Sequence, residues 1–229
     1  MEKIPKVRVV FSDISEDLLE YTRNIAEEQN LESQCSFICN AAEGLVDIPS
    51  GSIDVVVFRS VLIYINEKEK AFEECFRVLK KGGRLSFFEP INNYFSNQES
   101  GSQLFYFNTE PIKEVVDKLK KAFEKYTPND QEDPMLNFTE KDLITLGEKV
   151  GFSDINLKLK AEVKHKKSQM TWKSFFNRAL NPNMPTIGAV INEALTKEEK
   201  AILEDFMKNK FASGYMHYKM ATAYVWGVK

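Results

Sequence analysis

Three polar positions in this chain each follow a predicted β-strand, and together they have the chemistry to hold a nucleoside. Asp13 follows a strand predicted over 6–11, Asn40 follows one over 35–39, and Arg59 follows one over 53–58. In open α/β sheets, ligands bind outside the carboxyl ends of the strands. A carboxylate there can accept hydrogen bonds from both hydroxyls of a ribose, and an amide can hydrogen-bond the edge of a base. We therefore expect these side chains to lie along one edge of a sheet.

Two of these positions also have a simpler structural interpretation. Asp13 and Ser15 could do no more than cap the following helix, because serine is a favoured N-cap residue. Asn40 could belong to an ordinary turn with Ala41 and Ala42, whose small side chains would also let the backbone approach a flat ring. The convergence of three strand ends on one edge is more specific than any single residue.

Strands and amphipathic helices alternate through the first half of the chain. Strands are predicted over 6–11, 35–39, 53–58 and 84–88, with helices after Ser15 and over 67–80. We expect Gly82 and Gly83 to end the second helix, with Lys80 and Lys81 at its C-terminal end. Near-continuous apolar strands are typical of a parallel sheet covered on both faces. The pattern predicts an α/β fold, a doubly wound and mostly parallel sheet with helices on both faces.

The second half contains longer helical patterns and two further strands. Helices are predicted over 111–126, after Thr139 and after a Thr196–Glu199 capping box, and strands within 152–163 and 218–228. We predict one domain over 1–229, with a core at 6–92 and helical cover at 93–138 and 164–214. Residues 139–163 and 215–229 would form the C-terminal edge of the sheet, with an antiparallel final strand.

The composition is that of an ordinary globular protein. Charged residues make up 28% of the 229 residues, and the net charge of -3 gives no bulk attraction to nucleic acid or anionic membranes. We expect no signal peptide and no membrane span. The three cysteines suggest reduced thiols and a cytoplasmic location. Cys35 and Cys39 could form half of a metal site, but no second pair completes four ligands, so no metal is expected.

Four segments together resemble the class I S-adenosylmethionine-dependent methyltransferases, especially the group with small-molecule and quinone-biosynthesis enzymes. They are VVFSDIS (9–15), NAAEGL (40–45), GSIDVVVFRSVLIYI (51–65) and RVLKKGGRLSFFEP (77–90). The resemblance is close over 6–92. The last segment is its most specific part, although the glycine turn there shapes the fold and does not touch the cofactor.

The resemblance implies S-adenosylmethionine as the cofactor, with S-adenosylhomocysteine as the product. It assigns the ribose to Asp13, the adenine to Ile14, Asn40, Ala41 and Ala42, and the methionine part to Phe58, Arg59 and Ser60. It implies no catalytic base. The candidates for that role are Tyr64, Glu89, Tyr94, Tyr106 and His217.

The chain departs from the family pattern before its first predicted strand. The family has a strand and a glycine-rich loop there, which cradles the methionine part of the cofactor, whereas this chain has no glycine before Gly44. We therefore expect either an N-terminally shortened product or a segment upstream of Met1. We also expect weak binding of S-adenosylhomocysteine.

The function that the resemblance implies is methyl transfer to a small-molecule acceptor. Aromatic residues after Pro90 and within 170–188 suit an apolar or aromatic acceptor, although they could equally be a helical cover. One alternative is a non-catalytic binding or dimerisation module, because exposed strand edges favour a homodimer. Another is an NAD-type Rossmann enzyme, since Asp13 could bind the ribose of a nicotinamide cofactor equally well.

Overall fold

The computed structural model describes residues 7–95, 107–126, 133–167, 169–180, 184–213 and 215–229. The chain divides into two units, each formed by separate stretches of sequence. The first unit contains Met1–Glu89, Glu140–Lys158 and Tyr224–Lys229, and the second contains Pro90–Thr139 and Leu159–Ala223.

The strands and helices follow the predicted alternation in the first half of the chain. The strands are β1 (Val9–Asp13), β2 (Cys35–Cys39), β3 (Ile53–Arg59), β4 (Leu79–Pro90), β5 (Ser153–Lys167) and β6 (Tyr215–Val228). The helices are α1 (Glu16–Glu28), α2 (Lys68–Val78), α3 (Lys113–Glu124), α4 (Glu140–Val150), α5 (Trp172–Phe176), α6 (Ile187–Ala194) and α7 (Lys197–Ser213). Among the described residues, no helix is both long and apolar enough to cross a membrane.

Strands β1 and β2 pair in parallel and place Asp13 opposite Cys39. The rings of Phe11 and Phe37 stack across this pair with centroids 5.4 Å apart. Helix α1 joins the two strands and begins as predicted, because the Ser15 side chain accepts a hydrogen bond from the Leu18 amide at 3.3 Å. This small sheet holds the ends of β1 and β2 side by side.

The other four strands form a sheet in the order β3-β4-β6-β5. Strands β3 and β4 are parallel, with Arg59 opposite Phe88. Strand β6 runs antiparallel to β4, because Lys229 exchanges backbone hydrogen bonds with Gly82 and Gly83 whereas Ala221 accepts one from Ile91. The prediction of an α/β fold with a mostly parallel sheet and an antiparallel C-terminal strand is confirmed.

Helix α2 ends two residues earlier than predicted, at Val78. Leu79 is already extended, so Lys80 to Gly83 belong to β4 and do not end the helix. The cation at the helix end is instead Lys229, whose Nζ donates to the carbonyls of Phe76 at 2.6 Å and Leu79 at 2.8 Å. Its ammonium satisfies carbonyls that the helix leaves without partners.

Gly83 has a packing role that the sequence pattern did not specify. A Cβ atom there would lie 2.8 Å from the backbone oxygen of Lys80 and 3.2 Å from that of Asp54. Only glycine allows β4 to approach the start of β3 this closely.

One face of β3 is open, contrary to the expectation of cover on both faces. Val55 and Val57 are 53% and 71% exposed, and Val9 of β1 is 38% exposed. Within the described part of the chain, β1 and β3 belong to different sheets. The apolar residues on these strands therefore remain partly accessible.

The second unit is mainly helical and has its own apolar core. Residues of α3, α5, α6 and α7 form this core, including Leu119, Phe175, Ile191 and Leu203. The predicted capping box at the start of α7 is present, since Glu199 accepts from the Thr196 amide at 2.9 Å and donates its own amide to the Thr196 hydroxyl at 3.2 Å.

Candidate functional site

Asp13 lies at the end of β1 with one carboxylate oxygen engaged and one available. Its Oδ1 accepts a hydrogen bond from the Ser15 amide at 2.9 Å. Its Oδ2 has no partner among the residues that the structure describes. The next residue, Ile14, is 76% exposed. One oxygen of Asp13 is therefore held by the backbone just before α1, and the other has no partner among the described residues.

Asn40 closes a turn with its side chain. Its Nδ2 donates to the Asp47 carboxylate at 3.1 Å, and its Oδ1 accepts from the Asp47 amide at 3.4 Å. These bonds occupy the amide that was expected to meet a base edge. Ala41 is exposed and Ala42 is half-buried, so these two residues offer backbone and small side chains at this position.

The loop that follows this turn is fixed by an ion pair on α2. Arg77 donates to the carbonyls of Leu45 at 2.8 Å and Ile48 at 2.9 Å, and its Nε to Glu74 at 2.7 Å. Glu74 accepts the Leu45 amide at 2.7 Å. Hydrogen bonds from Arg77 lower the pKa of Glu74 and keep it ionised. No local pattern predicts this network, because the loop residues and Arg77 are about 30 residues apart along the chain.

The end of β3 carries the residues predicted to face the methionine part of a cofactor. Phe58 stacks on Phe87 with ring centroids 4.6 Å apart. The Arg59 guanidinium lies 5.0 Å from the centre of the Phe88 ring, and Arg59 is exposed. Ser60 has a φ of 54°, which is uncommon for any residue except glycine. Such strained positions cluster at binding sites.

Glu89, a candidate base, has a structural partner for each carboxylate oxygen. It is fully buried and accepts hydrogen bonds from the amides of Val61 at 2.8 Å, Leu62 at 3.0 Å and Ile63 at 3.3 Å. Burial raises its pKa, and the three amides and the charge of Lys68 oppose that rise. Glu89 therefore fixes the loop after Ser60 through these three amides, which argues against its use as a base.

The remaining candidate bases are only partly described. Tyr64 and Tyr94 are each 45% exposed. Tyr106 lies outside the described residues, and the His217 side chain is not described. No group of three or more His, Cys, Asp or Glu side chains in the described ranges could hold a metal ion.

The structure brings Asp13 and Asn40 together, because their strands are adjacent and parallel. Arg59 and Ser60 lie at the carboxyl end of β3, in the other sheet of the same unit. Asp13 therefore presents a free carboxylate oxygen next to the exposed Ile14 at the carboxyl end of β1. Arg59 places an exposed cation at the carboxyl end of β3.

Comparisons with known proteins show what this chain is similar to. Residues 2–87 match a family described as a methyltransferase domain. The ubiquinone/menaquinone biosynthesis C-methyltransferase UbiE of Photorhabdus laumondii is 30% identical over 106 residues, which are 46% of this chain and 42% of that protein. The human thiol S-methyltransferase TMT1A is 34% identical over 82 residues, 33% of either chain. The chain thus spans less than half the length of these relatives.

A solved structure extends the likeness to the whole fold. The YcgJ protein of Bacillus subtilis matches with a TM-score of 0.54 at 15% identity, over 97% of this chain and 82% of that one. The matched residues 2–87 make up a little over a third of the chain and are similar to a methyltransferase domain, and the likeness to YcgJ shows the fold alone.

Proposed function

We propose that this protein transfers a methyl group from S-adenosylmethionine to a small-molecule acceptor. The observation that carries the proposal is the unpaired Oδ2 of Asp13 at the carboxyl end of β1, within the matched methyltransferase domain. The bound cofactor would supply an electrophilic methyl group on a sulfonium. The chain's own residues would bind and orient, which is the main requirement of such a transfer.

We propose contacts for more of the nucleoside half of the cofactor than for its methionine half. Asp13 would accept a ribose hydroxyl on Oδ2, while its bond to Ser15 fixes the carboxylate. Ile14 would pack on the adenine, and the backbone at Ala41 and Ala42 would face the edge of the ring. The side chain of Asn40 would act through the turn that it closes with Asp47.

The methionine half would depend on the end of β3. Arg59 would pair with the carboxylate, and Phe58 and Ser60 would line the same part of the site. Because the described residues include no glycine-rich loop, we infer weak binding by these 229 residues alone. We also infer that methyl transfer is impaired, because it requires bound cofactor.

The acceptor is proposed at the level of its class. The two named relatives are a C-methyltransferase of quinone biosynthesis and a thiol S-methyltransferase, so the family does not fix the receiving atom. We propose an apolar or aromatic small molecule. The free thiols of Cys35, Cys39 and Cys75 support the cytoplasm as the location.

Calorimetric titration with S-adenosylhomocysteine and with NAD tests this function. We expect the first ligand to bind more weakly than micromolar and NAD not to bind. Asp13→Asn keeps the shape of the side chain but removes its charge, and should weaken binding about tenfold, the effect of losing a charge-assisted hydrogen bond. Asp17→Asn, an exposed acid in the first turn of α1, is the matched control. An unchanged affinity in Asp13→Asn would remove Asp13 from the site, and preferential NAD binding would favour the NAD-type enzyme.

A non-catalytic module is the second candidate, favoured by the exposed apolar face of β3. Val55 and Val57 would be buried if a second copy of the chain packed on this face. The two candidates separate cleanly, because a module of this kind would self-associate without binding S-adenosylhomocysteine.

A further inference from the structure

The second unit contains a cavity whose aromatic lining comes from the segment 170–188, which the sequence analysis considered for the acceptor. Its volume is about 380 Å³, within the range of about 300–1,000 Å³ typical of small-molecule sites. Residues of α5, α6 and α7 and the residue after α5 line it: Trp172, Lys173, Phe176, Asn177, Ile191, Asn192, Lys200 and Glu204. All of them belong to the second unit, so the cavity is defined within that unit alone.

Two aromatic rings form one wall of this cavity. The rings of Trp172 and Phe176 have centroids 5.5 Å apart and are tilted by 50°. Ile191, which is only 1% exposed, provides an apolar surface on α6. A Cβ atom at Gly188 would overlap the Phe176 ring, so glycine lets that ring lie against α6. The wall is suited to a flat apolar ring.

Helix α5, although short, is held in place at its start. The Thr171 hydroxyl accepts from the Ser174 amide at 3.1 Å, and the Ser174 hydroxyl accepts from the Thr171 amide at 2.9 Å. Phe175, on the same helix, is buried in the core of the unit. The aromatic wall is therefore formed before any ligand arrives, which lowers the entropic cost of binding.

The polar lining has an excess of positive charge. Glu204 is paired with Lys208, one helical turn along α7, at 2.6 Å. Lys173 has no partner among the residues that the structure describes. Lys200 donates only a long hydrogen bond, of 3.3 Å, to the Asn192 carbonyl. Two ammonium groups thus remain available to an anion.

We propose that this cavity binds a small aromatic anion, an aromatic ring that carries one carboxylate. The ring lies on Trp172 and Phe176, and the carboxylate meets Lys173 and Lys200. The apolar wall alone would accept a neutral ring, and the lysines alone would accept any anion. Their combination selects the aromatic acid.

Calorimetry with 2-naphthoate and its neutral analogue 2-naphthamide tests the proposal on the full chain. We expect 2-naphthoate to bind about fivefold more tightly, the effect of partly exposed charge pairs. The double variant Lys173→Gln/Lys200→Gln should lose this preference and keep the amide's affinity. Lys121→Gln, on the exposed part of α3, is the matched control and should change neither affinity.

A second variant locates the ligand independently of charge. Asn192→Phe places a ring in the cavity from an exposed position of α6, and should weaken both probes at least about tenfold. Circular dichroism checks that each variant is folded. If Asn192→Phe does not fold, the preference of the Lys173→Gln/Lys200→Gln variant for 2-naphthoate tests the proposal instead. Equal affinity for the two probes, or binding that survives a folded Asn192→Phe, overturns the proposal. Neither result depends on whether S-adenosylhomocysteine binds.

Discussion

Replacement of Glu89 by alanine would remove the acceptor that holds the loop after β3. Three backbone amides, those of Val61, Leu62 and Ile63, would lose their hydrogen bonds. Leu62 and Ile63 are only 1% and 3% exposed, so water cannot readily replace the carboxylate at their amides. An unsatisfied buried amide costs about 1–3 kcal/mol. We expect Glu89→Ala to lower the free energy of unfolding of the first unit by about 2–5 kcal/mol.

Urea unfolding followed by Trp226 fluorescence measures this loss, because Trp226 belongs to the first unit. A Trp172→Phe background removes the signal of the second unit. Glu89→Gln keeps one carbonyl oxygen and should lose less stability than the alanine variant. Glu73→Gln, an exposed acid on α2, should change stability by no more than about 0.5 kcal/mol. If Glu89→Ala is as stable as Glu73→Gln, the hydrogen bonds to Glu89 have no energetic importance.

The same residue predicts a pH dependence of stability. Burial raises the pKa of Glu89 in the folded protein, so the folded state holds this proton more tightly than the unfolded chain. Its contribution to stability is then fully present below the pKa of an unfolded glutamate and is lost as the pH rises through the folded pKa. Glu89→Gln does not titrate here. The stability of the wild type relative to Glu89→Gln should therefore fall with rising pH over that window, and a rise would contradict the assignment.

Two further predictions concern the loop beside the candidate site and the open strand. Arg77→Met removes the donors to the Leu45 and Ile48 carbonyls. It should lower the free energy of unfolding by about 1–3 kcal/mol and speed amide hydrogen exchange over 45–50. Unchanged exchange would show that the loop keeps its conformation without Arg77. Val57→Lys should abolish any concentration-dependent dimer seen by sedimentation velocity, whereas Val163→Lys, at an exposed valine of β5, should not. A wild type that stays monomeric at all concentrations would refute association through the open face of β3.

Features that depend on neighbouring residues could be predicted from the sequence. The cap of α1 by Ser15 and the capping box of Thr196 and Glu199 are set by side chains within three residues of the amides they bind. The alternation of strands and helices likewise followed from apolar patterns. These local signals were sufficient for the fold class.

Features that depend on remote contacts could not be predicted. The end of α2 was misplaced because its capping cation, Lys229, is about 150 residues away along the chain. The sequence does not indicate that Glu89 accepts hydrogen bonds from the loop after β3, because these bonds form only when β4 lies beside β3. At the candidate site, Asp13 is the last residue of β1, whereas the sequence predicts a strand that ends before it. The engagement of Asn40 with Asp47 depended on a turn geometry that the residue types alone do not specify.

The bond between Lys229 and the end of α2 has a consequence for how the protein is made. A ribosome releases α2 long before it reaches residues 224–229, which belong to the same unit. Until then the helix end lacks its ammonium and β4 lacks a neighbour on one side. The nascent first half therefore remains incompletely folded while the helical unit is synthesised. During that time its unpaired strand edges are accessible to chaperones and to aggregation.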